Sequence, residues 1–153
     1  MGKNVNKKVV IVFLHNHFSS YLLQLRDFKP SIIFPGHWGA FGGGIEEGES
    51  PRDALDRELI EEIGYSPEEL KFFGEVNKNQ HKLNIHMFYS SMSISLSKLR
   101  LMEGVDMDFF TIEEILSKNL YSKKLGDVFP IVPILSELFE DFFEHVAKNI
   151  KAL

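Results

Sequence analysis

The chain is expected to fold as one mixed α/β (α+β) domain, a sheet covered by helices. Three observations predict this: strand-like apolar runs on both sides of a strongly capped acidic helix, a helical apolar period at the C-terminus, and a globular composition. Its 153 residues are enough for one core, and 44% apolar with 25% charged residues excludes a disordered or fibrous chain. The expected unit is a single domain over residues 1–153.

The first element, "KKVVIVFLH", is continuous and β-branched, as a buried strand requires. "YLLQLRD" reads as a second strand, with "NHFSS" as the hairpin loop between them. "DFKPSIIFPGH" is broken by Pro30, Pro35 and Gly36 and reads as a loop. "FGGGIEEGE" reads as a glycine-rich turn whose backbone can approach a ligand closely.

The helix that follows carries its own start and stop signals. Ser50 is the cap, Pro51 suits the first helical position, Asp53 completes a Ser-x-x-acid box and Gly64 terminates it. The helix is predicted over Pro51 to Ile63, with Leu55, Leu59 and Ile63 along one apolar stripe. Glu58 and Glu62 fall beside that stripe, at the rim of the buried face, and Glu61 slightly outward. Three glutamates within five residues repel one another. Carboxylates clustered beside a close-approaching backbone suit a hard divalent cation, which would turn that repulsion into attraction.

Downstream, "LKFFGEVNK" and "LNIHMFYSSM" form a predicted hairpin across "NQHK", and "MDFFTIEEILSK" a short strand running into a helix capped by Thr111. From about 130 to 151 the apolar positions Ile131, Ile134, Leu135, Leu138, Phe139, Phe142, Phe143, Val146 and Ile150 follow a helical period. That amphipathic helix is expected to cover the core, a homodimer contact being the alternative.

Composition narrows the function classes. With no cysteine there is no disulfide framework, thiol catalysis or thiolate zinc site, a composition compatible with the cytoplasm. The six histidines show no His-x-x-x-His spacing; His15 with His17, and His81 with His86, read as loop or strand residues. A net charge of −5 argues against nucleic acid as a partner. No apolar run approaches the roughly 18 residues of a membrane span. The N-terminal "VVIVFL" is too short for a signal peptide, and Asn6 stands where myristoylation wants Ser or Thr.

Gly43, five residues, Glu49, seven residues, then "RELIEEIGY" resembles the Nudix box, G-x5-E-x7-R-E-U-x-E-E-x-G-U, at every fixed position. Tyr65 replaces the final aliphatic residue. The strands before it, "PGHWGAFGG" and "MEGVDMDFFTIEEIL" extend the resemblance over roughly residues 7 to 118. Phe41 stands where many family members have proline, and Trp38 is expected to pack in the core.

The resemblance implies a Nudix-type α/β/α sandwich with a mixed central sheet and a MutT-like pyrophosphohydrolase using Mg²⁺ or Mn²⁺. It implies metal ligands at Glu58, Glu61 and Glu62, a backbone carbonyl of Gly42 or Gly43, and Glu103 of "MEG" as a further ligand, with the catalytic base either a box glutamate, Glu58 or Glu61, or Glu103. Arg57 pairs with Glu49 to orient Glu58, and Gly64 is structural. Arg26 and Lys29 are candidates for the substrate's phosphate or terminal sugar. The implied substrate is a nucleoside diphosphate derivative, with a nucleotide sugar such as ADP-ribose ahead of a triphosphate of the 8-oxo-dGTP type. A nucleotide-sensing module without catalysis is the rival from another class, disfavoured because the box carboxylates are all present.

Overall fold

The computed structural model of the chain describes residues 6–16 and 19–147, Ala147 by its backbone alone. The central strand is β1 (Lys7–His15), which runs parallel to β6 (Leu83–Ser91) from Lys7↔Leu83 to His15↔Ser91. Strand β5 (Lys71–Lys78) pairs antiparallel with β6, with a bulge between Phe72 and Gly74. On its other side β1 pairs antiparallel with β4 (Phe41–Gly44), Val9↔Gly44 to Val12↔Phe41. It meets β2 (Tyr21–Leu25) at His15↔Tyr21, beside their connection. Strand β2 pairs with β3 (Trp38–Gly39) and along its length with β7 (Asp106–Phe110). The sheet is mixed, as expected.

Period-two alternation in β1 sends side chains to two separate cores. Val10, Val12 and Leu14 face α1 (Pro51–Ile63), meeting Leu22, Phe41, Ala54, Leu55, Leu59 and Ile63. Phe13, with Val9 and Ile11, faces the other side, where α2 (Ile112–Leu116) and α3 (Pro133–Phe142) close the sandwich. That second core explains much of the phenylalanine content: Phe13 stacks on Phe142 at 4.5 Å and meets Phe139 edge-on at 4.7 Å. Trp38 is fully buried, donates from Nε1 to the Leu120 carbonyl at 3.0 Å and packs edge-on to Phe110. The packing role expected of it holds.

Four expectations are corrected. The first part of the glycine-rich stretch, Phe41–Gly44, is a strand, β4, because β1 supplies its partner, and the expected turn is confined to Glu47 and Gly48. Strand β2 ends at Leu25 rather than Asp27. A two-stranded hairpin, β8 (Asn119–Ser122) with β9 (Asp127–Pro130), occupies the stretch before the last helix, so α3 begins at Pro133. After Phe142 the backbone continues as a π-helical turn over Phe143–Ala147. The sheet of the same chain covers the apolar face of α3, with Leu135, Leu138, Phe139 and Phe142 all buried. The helix end near 151 with Ile150, His17 with part of the first loop, and the N-terminal lead including Gly2 lie outside the described residues. No helix among the described residues is long and apolar enough to cross a membrane.

Candidate active site

Helix α1 keeps its predicted bounds because its ends are satisfied locally. Ser50 Oγ accepts from the Asp53 N–H at 3.1 Å, and the Gly64 N–H, at φ 68°, donates to the Ile60 carbonyl. Burying Leu55, Leu59 and Ile63 against the sheet then fixes the rotation of every carboxylate. Glu61 projects outward, its side chain 54% exposed, while that of Glu58 is 17% exposed. Glu62 is not at the rim: it is buried, 1% exposed, because the close-approaching β4 and β2 cover it.

Two donors meet that buried carboxylate. Oε1 accepts from the Gly42 N–H at 3.0 Å, and Oε2 accepts from Gln24 Nε2 at 2.9 Å. Burial nevertheless pushes the Glu62 carboxyl up to about 8; its two donors oppose the rise, and the charges of Glu58 and Glu103 add to it. Glu58 is also held above the ordinary carboxylate range, chiefly by burial, against the pull of Arg57.

Arg57 ties strand to helix. Its Nε and Nη2 bind the two oxygens of Glu49 at 2.9 and 3.0 Å, Nη2 also donates to the Gly44 carbonyl, and Nη1 donates to Glu58 Oε1 at 2.9 Å. The expected Arg57–Glu49 pair is therefore bidentate, and its hydrogen bond holds the Glu49 carboxyl down to about 2. Gly43 leaves room for the Glu58 carboxylate, which a Cβ there would push aside from Arg57. At Gly42, φ 142°, a Cβ would run into the Val10 carbonyl.

Glu103 arrives from a distant turn pinned at both ends. Met102 N–H donates to the Glu62 carbonyl at 2.8 Å, and Val105 N–H to the Leu25 carbonyl at 2.9 Å. The result is a polar cavity of about 520 Å³ where Glu62, Glu103 and Gly42 share a lining with Arg26 and Lys29. Arg26 is steadied by donating from Nε to the Ile33 carbonyl at 2.8 Å. Glu58 and Glu61 sit apart, turned toward Arg57, at 2.9 and 3.7 Å. Among the described residues no three acidic or histidine side chains converge on one centre: Glu58 and Glu61 turn toward Arg57, while Glu62 is held by Gly42 and Gln24.

Gln24 is the site residue that sequence reasoning passed over. Its signal was present: a glutamine inside the otherwise apolar "YLLQL" is a buried polar group that needs a partner. Histidines 15, 81 and 86 belong to β1, a 3₁₀ turn and β6 respectively.

The family model for the NUDIX domain matches residues 5–126. The chain belongs to the Nudix family. Nudix hydrolases generally use divalent metal ions, a requirement matched by the carboxylate chemistry of α1. A nucleoside triphosphatase NudI of Escherichia fergusonii is 38% identical over 58 residues, which is 38% of this Nudix chain and 40% of that protein. The matched stretch thus spans less than half of the curated relative. The fold recurs in the MutT protein from Methanosarcina mazei Go1, at TM-score 0.67 and 20% identity over 90% of this chain and 93% of the other. It recurs again in the NUDIX domain of Shewanella oneidensis NrtR complexed with ADP ribose, at TM-score 0.70 and 18% identity over 92% and 88%.

Proposed function

We propose that this Nudix protein is a cytoplasmic pyrophosphohydrolase that cleaves the diphosphate linkage of a small nucleoside diphosphate derivative with the help of Mg²⁺ or Mn²⁺. The observation that carries the reading is that Glu62 and Glu103 share the lining of one cavity with Arg26 and Lys29, beside a complete box. Carboxylate oxygens suit these hard cations, and a buried Glu62 raised by its acidic neighbours is a group that a cation would return to its charged form.

The residues assigned to hold metal are Glu58, Glu61, Glu62 and Glu103, with a carbonyl of Gly42 or Gly43. When bound, the ions would neutralise charge on the diphosphate oxygens and acidify the attacking water. Arg26 and Lys29 bind the phosphate or sugar on the other side of the scissile bond. Glu103, exposed and lining the cavity, takes the proton from the attacking water. Arg57, locked by Glu49, positions Glu58 and touches no reacting atom.

Two substrate types are proposed for this site. The nucleotide-sugar reading has the ADP-ribose-bound structural neighbour on its side, and the triphosphate reading has the NudI relative. A panel of nucleotide sugars, dinucleotides and nucleoside triphosphates, incubated with purified protein and Mg²⁺ or Mn²⁺, separates them by the product released. Failure to release product from any member overturns the enzyme and leaves the sensing module. Glu62→Gln should keep the fold and lose turnover; unchanged turnover removes Glu62 from the site.

A further inference from the structure

We infer that Gln24 is a positioning residue that holds Glu62 against the Glu103 turn, and that cation affinity at this pair of carboxylates depends on its amide. The inference rests on the metal-dependent reading given above and concerns an uncharged side chain outside the box.

Strand β2 is held on both sides at this point, Gln24 pairing with Gly39 of β3 and with Met107 of β7. Alternation along β2 turns Leu23 and Leu25 into the α3 core and Leu22 into the α1 core. Gln24, two residues on from Leu22, therefore faces α1 as well and meets it at Glu62. The residue is buried, in a strand whose other members are leucine and tyrosine. An amide in such a place costs desolvation unless its polar atoms are matched.

Its two ends serve two different elements. Nε2 donates to Glu62 Oε2 at 2.9 Å while the Gly42 N–H donates to Oε1 at 3.0 Å, so the carboxylate is held at both oxygens and its plane is fixed. Two donors occupy only two of the roughly four acceptor positions of a carboxylate, which leaves capacity for a cation. Oε1 of Gln24 lies beside Gly104, where a Cβ would come within 3.2 Å of it and within 2.7 Å of the Leu25 carbonyl. Gly104, at φ 87°, directly follows Glu103, and its missing side chain lets that turn sit on β2. Gln24, Glu62, Glu103 and Gly104 all line the polar cavity. One amide thus binds the carboxylate of α1 with its nitrogen and lies against the backbone next to the second carboxylate with its oxygen. An apolar residue here would fill the strand but leave Glu62 Oε2 without this donor and free to turn away from Glu103. Supporting hydrogen bonds of this kind change metal affinity by about 10- to 100-fold.

The test is Mn²⁺ binding to the purified protein without substrate, read from the paramagnetic resonance signal of the free ion. Gln24→Met, which keeps the length of the side chain and loses the donor, should weaken binding about tenfold or more. Gln24→Asn, which keeps the amide but falls a methylene short of Glu62, should do the same, and thermal melts of the metal-free proteins check each fold. The Glu62→Gln background separates positioning from a general packing role, with Glu58, Glu61 and Glu103 left to bind the ion. A glutamine that only packs the strand would lower Mn²⁺ affinity by the same factor in either background. Action through Glu62 requires Gln24→Met to change affinity less than about twofold once Glu62 is glutamine. Unchanged affinity in both Gln24 variants, or equal losses in the two backgrounds, overturns the inference and leaves the proposed reaction standing. Absence of Mn²⁺ binding in the wild type overturns both. Binding that depends on Gln24 through Glu62, in a protein that hydrolyses nothing, supports the inference while defeating the proposed reaction.

Discussion

Helices α1 and α3 cover opposite faces of one sheet, and they do so with opposite chemistry. The buried face of α3 is leucine and phenylalanine with one uncharged polar residue, Ser136; Phe142 stacks on Phe13 and Phe139 meets that ring edge-on. The buried face of α1 contains a carboxylate, Glu62, next to Leu59 and Ile63. One helix maximises burial of apolar surface; the other gives some of that up to place an ionisable group where water cannot screen it. The contrast locates stability on one side of the sheet and chemistry on the other.

The largest effect should come from damaging the apolar side. Phe142→Ala removes a ring in contact with Phe13, Tyr21, Phe73, Tyr89 and Phe143 and should cost about 3–5 kcal/mol by denaturant unfolding. Activity per folded molecule should survive. A similar loss of turnover without a loss of stability would erase the division between the two faces.

On the α1 side the pattern should reverse. Glu58→Gln should leave the unfolding midpoint nearly unchanged while lowering metal-dependent kcat by more than about 100-fold if Glu58 has the ligand role proposed for it, since loss of a direct ligand exceeds the effect of losing its supporting partner. A titration of Mn²⁺ against activity separates weakened metal affinity from a slower step. The smallest effect belongs to Arg57→Lys. A lysine keeps the charge but cannot make the bidentate contact with Glu49 while also holding Glu58 and the Gly44 carbonyl, so kcat/KM should fall about tenfold. Activity equal to wild type would show that Glu58 needs no positioning by Arg57.

Much of this division was legible in the sequence, unevenly. The bounds of α1 could be read because its cap, first-turn proline and terminal glycine are local devices that act whatever lies elsewhere. The burial of Glu62 could not, since it depends on Gln24 and Gly42, partners 38 and 20 residues away. β4 was hidden because glycines carry no side-chain pattern, and its identity as a strand is set by pairing with β1. The β8–β9 hairpin did leave a trace, buried Leu120 and Ser122 alternating with exposed neighbours before a turn at Gly126. The site cavity draws its lining from β2, the loop after it, β4, α1 and the Glu103 turn, and only the α1 portion announces itself as a motif.

The central claim is that α1 holds a carboxylate under tension, and it can be measured without substrate. Burial raises the Glu62 carboxyl from 4.5 to about 8, so between those values the folded protein binds a proton that the unfolded chain has released. The contribution of Glu62 to stability must then fall as pH rises through that window, against the opposite slope of His15, whose burial lowers its imidazole, and the Glu62→Gln comparison isolates it. Thermal or denaturant unfolding of the metal-free protein across pH 4.5 to 8 should show this decline in the wild type and a much flatter profile in Glu62→Gln. Mg²⁺ or Mn²⁺ at the upper end should recover wild-type stability and leave the variant little changed. Identical pH profiles for the two proteins, with no metal effect on either, would contradict the account.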